Sequence, residues 1–264
     1  MGDRFANHVV WITGASSGLG WEMACQLAQE GATVVASARR EDRLNALIDK
    51  LGSPAIALPC DVTDETQVAS TVDAIIEKLG RLDVAIVNAG FSVSGTVAAL
   101  SDHEWRRQFD VNIFGALNTI RHAMPHLQNS KGRIALIASV AGFVGAPKSG
   151  AYCASKAALR TIGAALSAEL TGSGVSCTTI NPGYVVSEIS QVDNQGQFQE
   201  QRSDRRPAQL MWPTDRAVRV MLSAIHRRKR EFVFTGHGKI IVFLARHFPW
   251  LVAWALGRGA APSR

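Results

Sequence analysis

With 264 residues, of which 47% are hydrophobic and 19% charged, the chain is long enough to bury a large core, so a small protein that depends on disulfides for stability is excluded. The formal net charge of +6 is uneven, because residues 1–199 carry 15 Lys or Arg against 18 Asp or Glu, while residues 200–264 carry 13 against 4. An anionic partner is therefore expected at the carboxyl-terminal quarter alone, where a solvated arginine-rich face is the other interpretation.

The cysteines and the amino-terminal residues bear on metal binding, disulfide bonds and cellular location. We interpret the four cysteines as reduced packing residues, with neither a metal site nor a disulfide framework, because they lack CxxC spacing and stand in apolar or helical surroundings: Cys25, Cys60, Cys153 and Cys177. Residues 1–14 lack the basic start and apolar run of a signal peptide, which predicts a cytoplasmic location.

Strand and helix patterns alternate along the chain. In chain order they are a strand at 8–13, a helix ending near residue 30, a strand at 33–38, a helix at 40–51, a strand at 55–59, a helix at 64–80, a strand at 84–90, a helix at 101–126, a strand at 133–139, a helix at 152–170 and a strand at 175–181. Apolar strands joined by right-handed helical crossovers predict an α/β fold, a single domain with a Rossmann-type doubly wound parallel sheet and helices on both faces. We assign this domain to residues 1–238 and a basic, apolar extension to residues 239–264.

A glycine-rich turn, TGASSGLG at residues 13–20, joins the first strand to the first helix. Gly14, Gly18 and Gly20 allow the backbone to turn sharply and to approach a pyrophosphate at the helix amino terminus, where free N–H groups and the helix dipole favour anions. This context predicts a dinucleotide site that also uses the intervening Ser16, Ser17 and Leu19.

Tyr152 and Lys156 are separated by four residues in a predicted helix, so their side chains share one face. A free phenol has a pKa of about 10 and is a poor proton donor or base at neutral pH. We expect the neighbouring ammonium to lower the pKa of Tyr152 and to make it a general acid or base.

Several motifs occur in a fixed order along the chain: the glycine turn, CDV at 60–62, NAG at 88–90, YCASK at 152–156 and NPG at 181–183. Together with Asn112 and Ser139, they resemble the short-chain dehydrogenase/reductase family over residues 6–235. The resemblance implies a nicotinamide-dependent oxidoreductase that interconverts a ketone and a secondary alcohol, and a homodimer or homotetramer built through the helices near 101–126 and 152–170.

The resemblance also implies roles for individual residues. Tyr152 and Lys156 are catalytic and contact the cofactor, Ser139 donates a hydrogen bond to the substrate oxygen, and Asn112 holds a water that connects the lysine to solvent. Val87 departs from the family, which often has asparagine there. The remaining implied cofactor contacts are Asp61 and Val62 beside the adenine, Asn88, Ala89 and Gly90 along the groove, and Pro182, Gly183, Val185 and Ser187 near the nicotinamide.

Cofactor choice follows from the charge at the end of the second strand. NAD-dependent enzymes place a carboxylate there for the ribose 2′-hydroxyl, whereas this chain has Ala38 followed by Arg39 and Arg40. Because a guanidinium can bind a 2′-phosphate through paired charge-assisted hydrogen bonds, we predict NADP(H), with Arg39 the main contact and Arg40 in support.

Substrate specificity is expected from residues 92–97, 141–149 and 188–211. The first two segments are small and largely apolar with few charges, and no anchoring cation for an acidic substrate is evident. A neutral, apolar ketone or alcohol is therefore predicted, contacted by Ser139, Tyr152, Val93 and Phe143. The polar, glutamine-rich segment 188–211 is either a lid over the substrate or a surface loop.

Residues 240–256 are mostly apolar, but as a helix they extend about 25 Å and would not cross a bilayer core of about 30 Å. Two interpretations remain open. In one, this segment contacts a membrane interface through Phe243, Phe248, Trp250 and Trp254; in the other, it is buried over the substrate pocket or a subunit contact.

Two alternative functions stay open beside the leading prediction. One is a sensor or scaffold protein that binds NADP(H) without turnover, and the other is a membrane-associated reductase of long-chain keto lipids. No nucleic-acid partner is expected, because the carboxyl-terminal aromatic residues form an apolar run instead of alternating with basic residues.

Overall fold

The strands form one parallel sheet whose order reverses direction at its centre. The computed structural model describes residues 3–259 apart from 53, 203 and 205, and within these residues the sheet has seven strands in the order β3-β2-β1-β4-β5-β6-β7. They are β1 (Val9–Thr13), β2 (Thr33–Ser37), β3 (Ala55–Ala57), β4 (Val84–Val87), β5 (Arg133–Ile137), β6 (Ser176–Asn181) and β7 (Glu231–Val233). The predicted doubly wound sheet is confirmed.

The sheet is covered by helices on both faces because its central strands are apolar on both sides. In β1, Val10 and Ile12 pack in one hydrophobic cluster, whereas Val9 and Trp11 pack in another, as the two-residue repeat of a strand requires. The first cluster includes apolar residues of α1 (Gly18–Gln29), α2 (Glu41–Leu51) and α7 (Thr214–His226), and the second includes those of α3 (Glu65–Leu79), α5 (Gly115–Ser130) and α6 (Gly150–Glu169).

The order of the strands determines where a ligand can bind. β1 lies between β2 and β4, so the connections from β1 and β4 leave in opposite directions and open a crevice at the carboxyl ends of these strands. Ligands of doubly wound sheets bind in this crevice. The glycine turn follows β1 directly and therefore lies at its edge.

The helix predicted at 101–126 is interrupted in the structure. A helix α4 (Asp102–Phe109) begins with a capping box between Ser101 and Glu104, a π-helical turn follows at Asp110–Phe114, and α5 continues to Ser130. The π turn inserts an additional residue into the helical repeat, as such turns often do at functional sites. The continuous prediction was therefore wrong at its centre, where Asn112 lies.

After β7, the chain forms α8 (Gly236–His247) and α9 (Pro249–Gly259), which complete the helices of the described part of the chain. Within the described residues, no single helix is both long enough and apolar enough to cross a membrane. α8 and residues 249–257 reach that length and hydropathy together, but the chain bends by 115° between them.

Candidate active site

A cavity of about 300 Å³ lies at the carboxyl edge of the sheet beside β1 and β4. It begins at the glycine turn and extends to the amino-terminal half of α6. All but one of the predicted cofactor contacts line it, namely Gly14, Ser16, Ser17, Gly18, Leu19, Arg39, Arg40, Asp61, Val62, Asn88, Ala89, Gly90, Tyr152, Lys156, Pro182, Gly183, Val185 and Ser187.

The glycine turn is shaped by close backbone contacts. Gly14 has φ of 69°, and a Cβ at this position would lie 2.8 Å from the Cα of Ala89. Asn88 secures the turn, because its Nδ2 donates to the backbone oxygens of Thr13 (3.0 Å) and Gly14 (3.1 Å). Gly20 is the predicted contact that does not line the cavity; it lies behind the turn, where a Cβ would come within 2.3 Å of the Gly14 oxygen.

Two arginines follow β2 at the cavity wall, and their surroundings differ. Arg40 donates to Ser16 Oγ at 3.1 and 3.2 Å and to Glu188 Oε2 at 3.3 Å, so its guanidinium is largely engaged. The Arg39 side chain is 56% exposed, and its Nη1 lies 4.0 Å from Asp61 Oδ2. Arg39 is therefore the more available cation for an anionic group in the cavity.

Ser139, Tyr152 and Lys156 meet at the other end of the cavity. Ser139 follows β5, and its Oγ accepts a hydrogen bond from the Ala141 N–H at 3.1 Å. Lys156 Nζ donates to the backbone oxygen of Ile137 at 2.8 Å and lies 5.8 Å from the centroid of the Tyr152 ring. The helix α6 thus brings phenol and ammonium to one site, beside the serine hydroxyl.

Burial shifts the pKa values of Tyr152 and Lys156. It raises the pKa of Tyr152, although a hydrogen bond with the Ser139 side chain and the charge of Arg206 act in the opposite direction. It also lowers the pKa of Lys156 from 10.5 to about 8. The predicted lowering of the Tyr152 pKa is therefore wrong for this structure, because the cost of burying a phenolate outweighs the hydrogen bond with Ser139 and the charge of Arg206.

Asn112 lies in the π-helical turn and supports the site from behind. Its Oδ1 accepts from the Phe91 N–H at 3.1 Å, and its Nδ2 donates to the Phe91 oxygen (3.1 Å) and to Ser155 Oγ (3.0 Å). Asn112 is buried and does not line the cavity. It joins the loop after β4 to the residue that precedes Lys156, and its role in holding water stays a prediction.

Two residues predicted to contact substrate lie elsewhere. Val93 is fully buried in a small apolar cluster with Phe91 and Leu100. The Phe143 ring centroid lies 4.1 Å from the guanidinium carbon of Arg160 and 5.2 Å from that of Arg246, in an apolar groove beside α9. Neither residue lines the cavity, because the small cluster encloses the first and the carboxyl-terminal helices cover the second.

The segment 188–211 lies along the cavity and supplies lining residues that the sequence did not single out, namely Glu188, Ile189, Val192, Gly196, Phe198 and Arg206. Asn194 holds it across the groove, since its side chain exchanges hydrogen bonds with the Ser94 backbone at 2.9 and 3.0 Å and donates to Glu104 Oε1 at 2.7 Å. Arg107 adds a hydrogen bond to the Asn194 oxygen at 3.2 Å. The segment is thus a docked cover in this structure, and its motion stays a prediction.

His237 was not anticipated, because it lies in α8 beyond the recognised motifs. Its Nε2 accepts a hydrogen bond from the Tyr184 N–H at 3.0 Å, and its ring stacks on Tyr184 with centroids 5.1 Å apart. Burial lowers the pKa of His237, which favours the neutral ring that can accept this bond. A Cβ at Gly183 would lie 2.4 Å from His237 Nε2, so α8 packs directly against the loop that lines the cavity.

The cysteines and the acidic residues form no metal site in the described part of the chain. Cys25, Cys60, Cys153 and Cys177 are buried free thiols, and no group of three or more His, Cys, Asp or Glu among residues 3–259, apart from 53, 203 and 205, could hold a metal ion.

Comparison with known proteins identifies the family. The sequence model of the family described as short chain dehydrogenase matches residues 8–197, which contain the glycine turn, Ser139, Tyr152 and Lys156. The chain belongs to the short chain dehydrogenase family. Membership supports an oxidoreductase that acts on a hydroxyl or keto group with a nicotinamide cofactor.

Similar oxidoreductases occur in several bacteria. An uncharacterized oxidoreductase of Staphylococcus epidermidis is 36% identical over 184 residues, 69% of this chain and 80% of the relative. A 3beta-hydroxysteroid dehydrogenase of Mediterraneibacter gnavus is 37% identical over 183 residues, 68% of this chain and 66% of the relative. The crystal structure of a short chain dehydrogenase/reductase from Burkholderia phymatum in complex with NAD has a TM-score of 0.82 at 25% identity and covers 99% of this chain and 98% of that chain.

Proposed function

We propose that this short chain dehydrogenase is an NADP(H)-dependent oxidoreductase that interconverts a ketone and a secondary alcohol, with Tyr152 as the general acid or base. The observation that carries the proposal is that Ser139, Tyr152 and Lys156 line the same cavity as the glycine turn. A cofactor held at the turn would extend along this cavity toward a proton donor and a hydrogen-bond donor.

Each of these side chains has a defined task in the reaction. In the direction of reduction, Tyr152 Oη gives its proton to the substrate oxygen, and Ser139 Oγ donates a hydrogen bond to that oxygen as negative charge develops there. In the direction of oxidation, Tyr152 removes the proton of the alcohol. NADP(H), when bound, supplies or accepts the hydride.

The pKa directions bear on the resting state of the site. Because burial raises the pKa of Tyr152, the phenol is protonated at neutral pH and ready to donate. The pKa of Lys156, about 8, leaves most of its amine charged at pH 7. A charged Lys156 then stabilises the phenolate that remains after proton transfer.

The cavity wall after β2 fits a 2′-phosphate. Ala38 lines the cavity where a carboxylate would accept bonds from a ribose hydroxyl, and Arg39 follows it with a half-exposed side chain. The Burkholderia structure is in complex with NAD, so the choice of NADP(H) for this chain depends on its two arginines.

A neutral, apolar substrate fits the rest of the lining. The apolar side chains that line the cavity beyond the cofactor contacts include Phe91, Val111, Val192 and Phe198. Arg206 is paired with Asp204 and donates to the Val185 oxygen at 3.1 Å, so its charge is already engaged. The relative named as a 3beta-hydroxysteroid dehydrogenase agrees with a hydroxyl or keto group on an apolar carbon frame.

Initial rates with a panel of neutral ketones, measured by the absorbance of NADPH or NADH, test the proposal. We expect kcat/KM to be at least about 100-fold higher with NADPH, and Arg39→Ala to lower the NADPH value by about tenfold or more while sparing the NADH value. Arg43→Ala, an exposed arginine in α2, is the matched control and should leave both values unchanged. A preference for NADH would contradict the cofactor assignment, and no turnover with any ketone or alcohol would contradict the reaction.

Two further features of the protein stay predictions. The faces of α5 and α6 are expected to form a homodimer or homotetramer, which light scattering would detect as a multiple of 28.4 kDa. A cytoplasmic location is expected, and fractionation of the source cells would test it.

A further inference from the structure

The outward face of the two last helices is apolar. The inner face of α8 carries the buried Gly238 and Val242. Along residues 240–254, several large apolar side chains have exposed fractions of 42–68%: Ile240, Phe243, Phe248, Trp250 and Trp254. We call these residues the interfacial surface. A helix that covers a core is normally polar on its outer face, so this surface requires a separate explanation.

The fold does not need these side chains to hold α8 in place. Arg246 of α8 and Arg160 of α6 both donate to the Glu231 carboxylate in β7, with 3.0 Å for the Arg160 contact. His237 contributes the bond to Tyr184. These polar contacts hold α8 to β7 and to the loop after β6 without using the exposed apolar side chains of Ile240 or Phe243.

The charge around the surface indicates the chemistry of that partner. In sequence, residues 232–264 contain four basic residues and no Asp or Glu. In the described part of the chain, Lys239 is exposed next to Ile240, whereas Arg246 is paired with Glu231. Tryptophan and phenylalanine beside basic residues are typical of the interface of a membrane with anionic headgroups. A two-fold contact between copies of this chain would instead place two acid-free basic segments against each other, which like-charge repulsion disfavours.

The geometry favours contact with one leaflet over a crossing. α8 and α9 extend about 18 Å and about 16 Å, and a bilayer core is about 30 Å thick. The chain bends by 115° between the two helices. Two short helices at this angle can both place an apolar face in the headgroup region while the rest of the protein stays in water.

We propose that the interfacial surface binds the headgroup region of an anionic lipid bilayer and attaches the enzyme peripherally to a membrane. Phe243 and Trp250 enter the apolar boundary, and Lys239 faces the anionic headgroups. This attachment does not require the proposed reaction, so the two proposals can fail separately.

Cosedimentation with phosphatidylcholine vesicles, with and without phosphatidylserine, tests the attachment. We expect the full-length protein to sediment with the vesicles that contain phosphatidylserine. Ile240→Ser and Trp250→Ser should each weaken this partition by about tenfold, and Lys239→Gln by about fivefold. Val97→Ser and Lys78→Gln are the matched controls, because Val97 is exposed as fully as Ile240 and Lys78 is an exposed lysine of α3; both should bind like the wild type.

Two outcomes would overturn the proposal. One is the absence of wild-type binding to vesicles of either composition. The other combines two results: the wild type does not bind vesicles, and the molecular mass from sedimentation equilibrium is lower for Trp250→Ser than for the wild type. The surface would then be a contact between copies of the chain. Far-UV circular dichroism and NADPH titration of each variant establish that the fold and the cofactor site are intact.

Discussion

The glycine turn and the cover formed by residues 188–211 line the same cavity, yet they are held in different ways. The turn is fixed by packing that leaves no room for a Cβ at Gly14 or Gly20, and by part-buried hydrogen bonds from Asn88. The cover is held by polar side chains at the surface, chiefly Asn194 against Ser94.

Because the two regions are held differently, we assign cofactor binding to the turn and ligand access to the cover. A wall built from buried backbone contacts has one geometry and can present N–H groups to a pyrophosphate without reorganisation. A cover held by exposed hydrogen bonds, each contributing about 1 kcal/mol, can open at small cost. We therefore expect changes in the turn to abolish binding and changes in the cover to alter exchange of ligands.

The largest effect is expected at Gly20. Gly20→Ala places a Cβ within 2.3 Å of the Gly14 oxygen and 2.7 Å of Asn88 Nδ2, so the turn must shift. We expect loss of NADPH binding by calorimetry and a free energy of unfolding lower by about 3 kcal/mol in urea. Gly145→Ala, where no heavy atom lies within 4 Å of the added Cβ, is the control; equal stability of the two variants would refute the close-contact argument.

A pH-dependent effect of similar size is expected at Lys156, in the buried end of the cavity. Because its pKa falls from 10.5 to about 8 on folding, the unfolded chain binds the additional proton between these pH values, and stability rises with pH across this window. This titration of Lys156 raises the free energy of unfolding by about 3 kcal/mol across the window. Lys156→Met removes it, so the stability of the variant relative to the wild type should fall by that amount from pH 8 to pH 10.5 in urea titrations.

The control for Lys156 is Lys78→Met, an exposed lysine on α3. Its stability should follow the wild-type curve across the same window. A difference between Lys156→Met and the wild type that does not change with pH would mean that the ammonium of Lys156 is solvated in the folded protein.

The smallest effect on stability is expected in the cover. Asn194→Ala removes the two bonds to Ser94 and the bond to Glu104, all near the surface, and we expect the free energy of unfolding to fall by no more than about 1 kcal/mol. Hydrogen exchange of residues 188–211 should quicken markedly, while exchange in β1 stays unchanged. Asn129→Ala, an exposed asparagine of α5, is the control. Unchanged exchange in the cover would contradict its attachment through Asn194.

The same contrast explains how far the sequence could be interpreted. The six strands predicted up to residue 181 lie where the structure has them, because apolar runs and glycine turns are local signals. β7 (Glu231–Val233) was not predicted. The π-helical turn at Asp110–Phe114 was missed because one inserted residue is too small a break in the helical repeat to be recognised from a single sequence.

The candidate active site, like the fold, could be predicted from the sequence only in part. Residues just after the strand ends, such as Ser139 and Gly183, were predicted at the site from the family resemblance, and they line the cavity. The lining residues of the cover and the support from His237 depend on contacts between distant segments, for which a single sequence contains no local signal. Val93 and Phe143 were misplaced for that reason, since neighbouring segments bury them away from the cavity.

The central claim is that Tyr152 moves the proton in a cavity that also holds the nicotinamide cofactor. Turnover of Tyr152→Phe with the best ketone of the panel, measured together with its NADPH affinity, tests this most directly. We predict kcat lower by at least about a thousandfold and a Kd for NADPH within about twofold of the wild type. Turnover close to that of the wild type, with binding intact, would contradict the account.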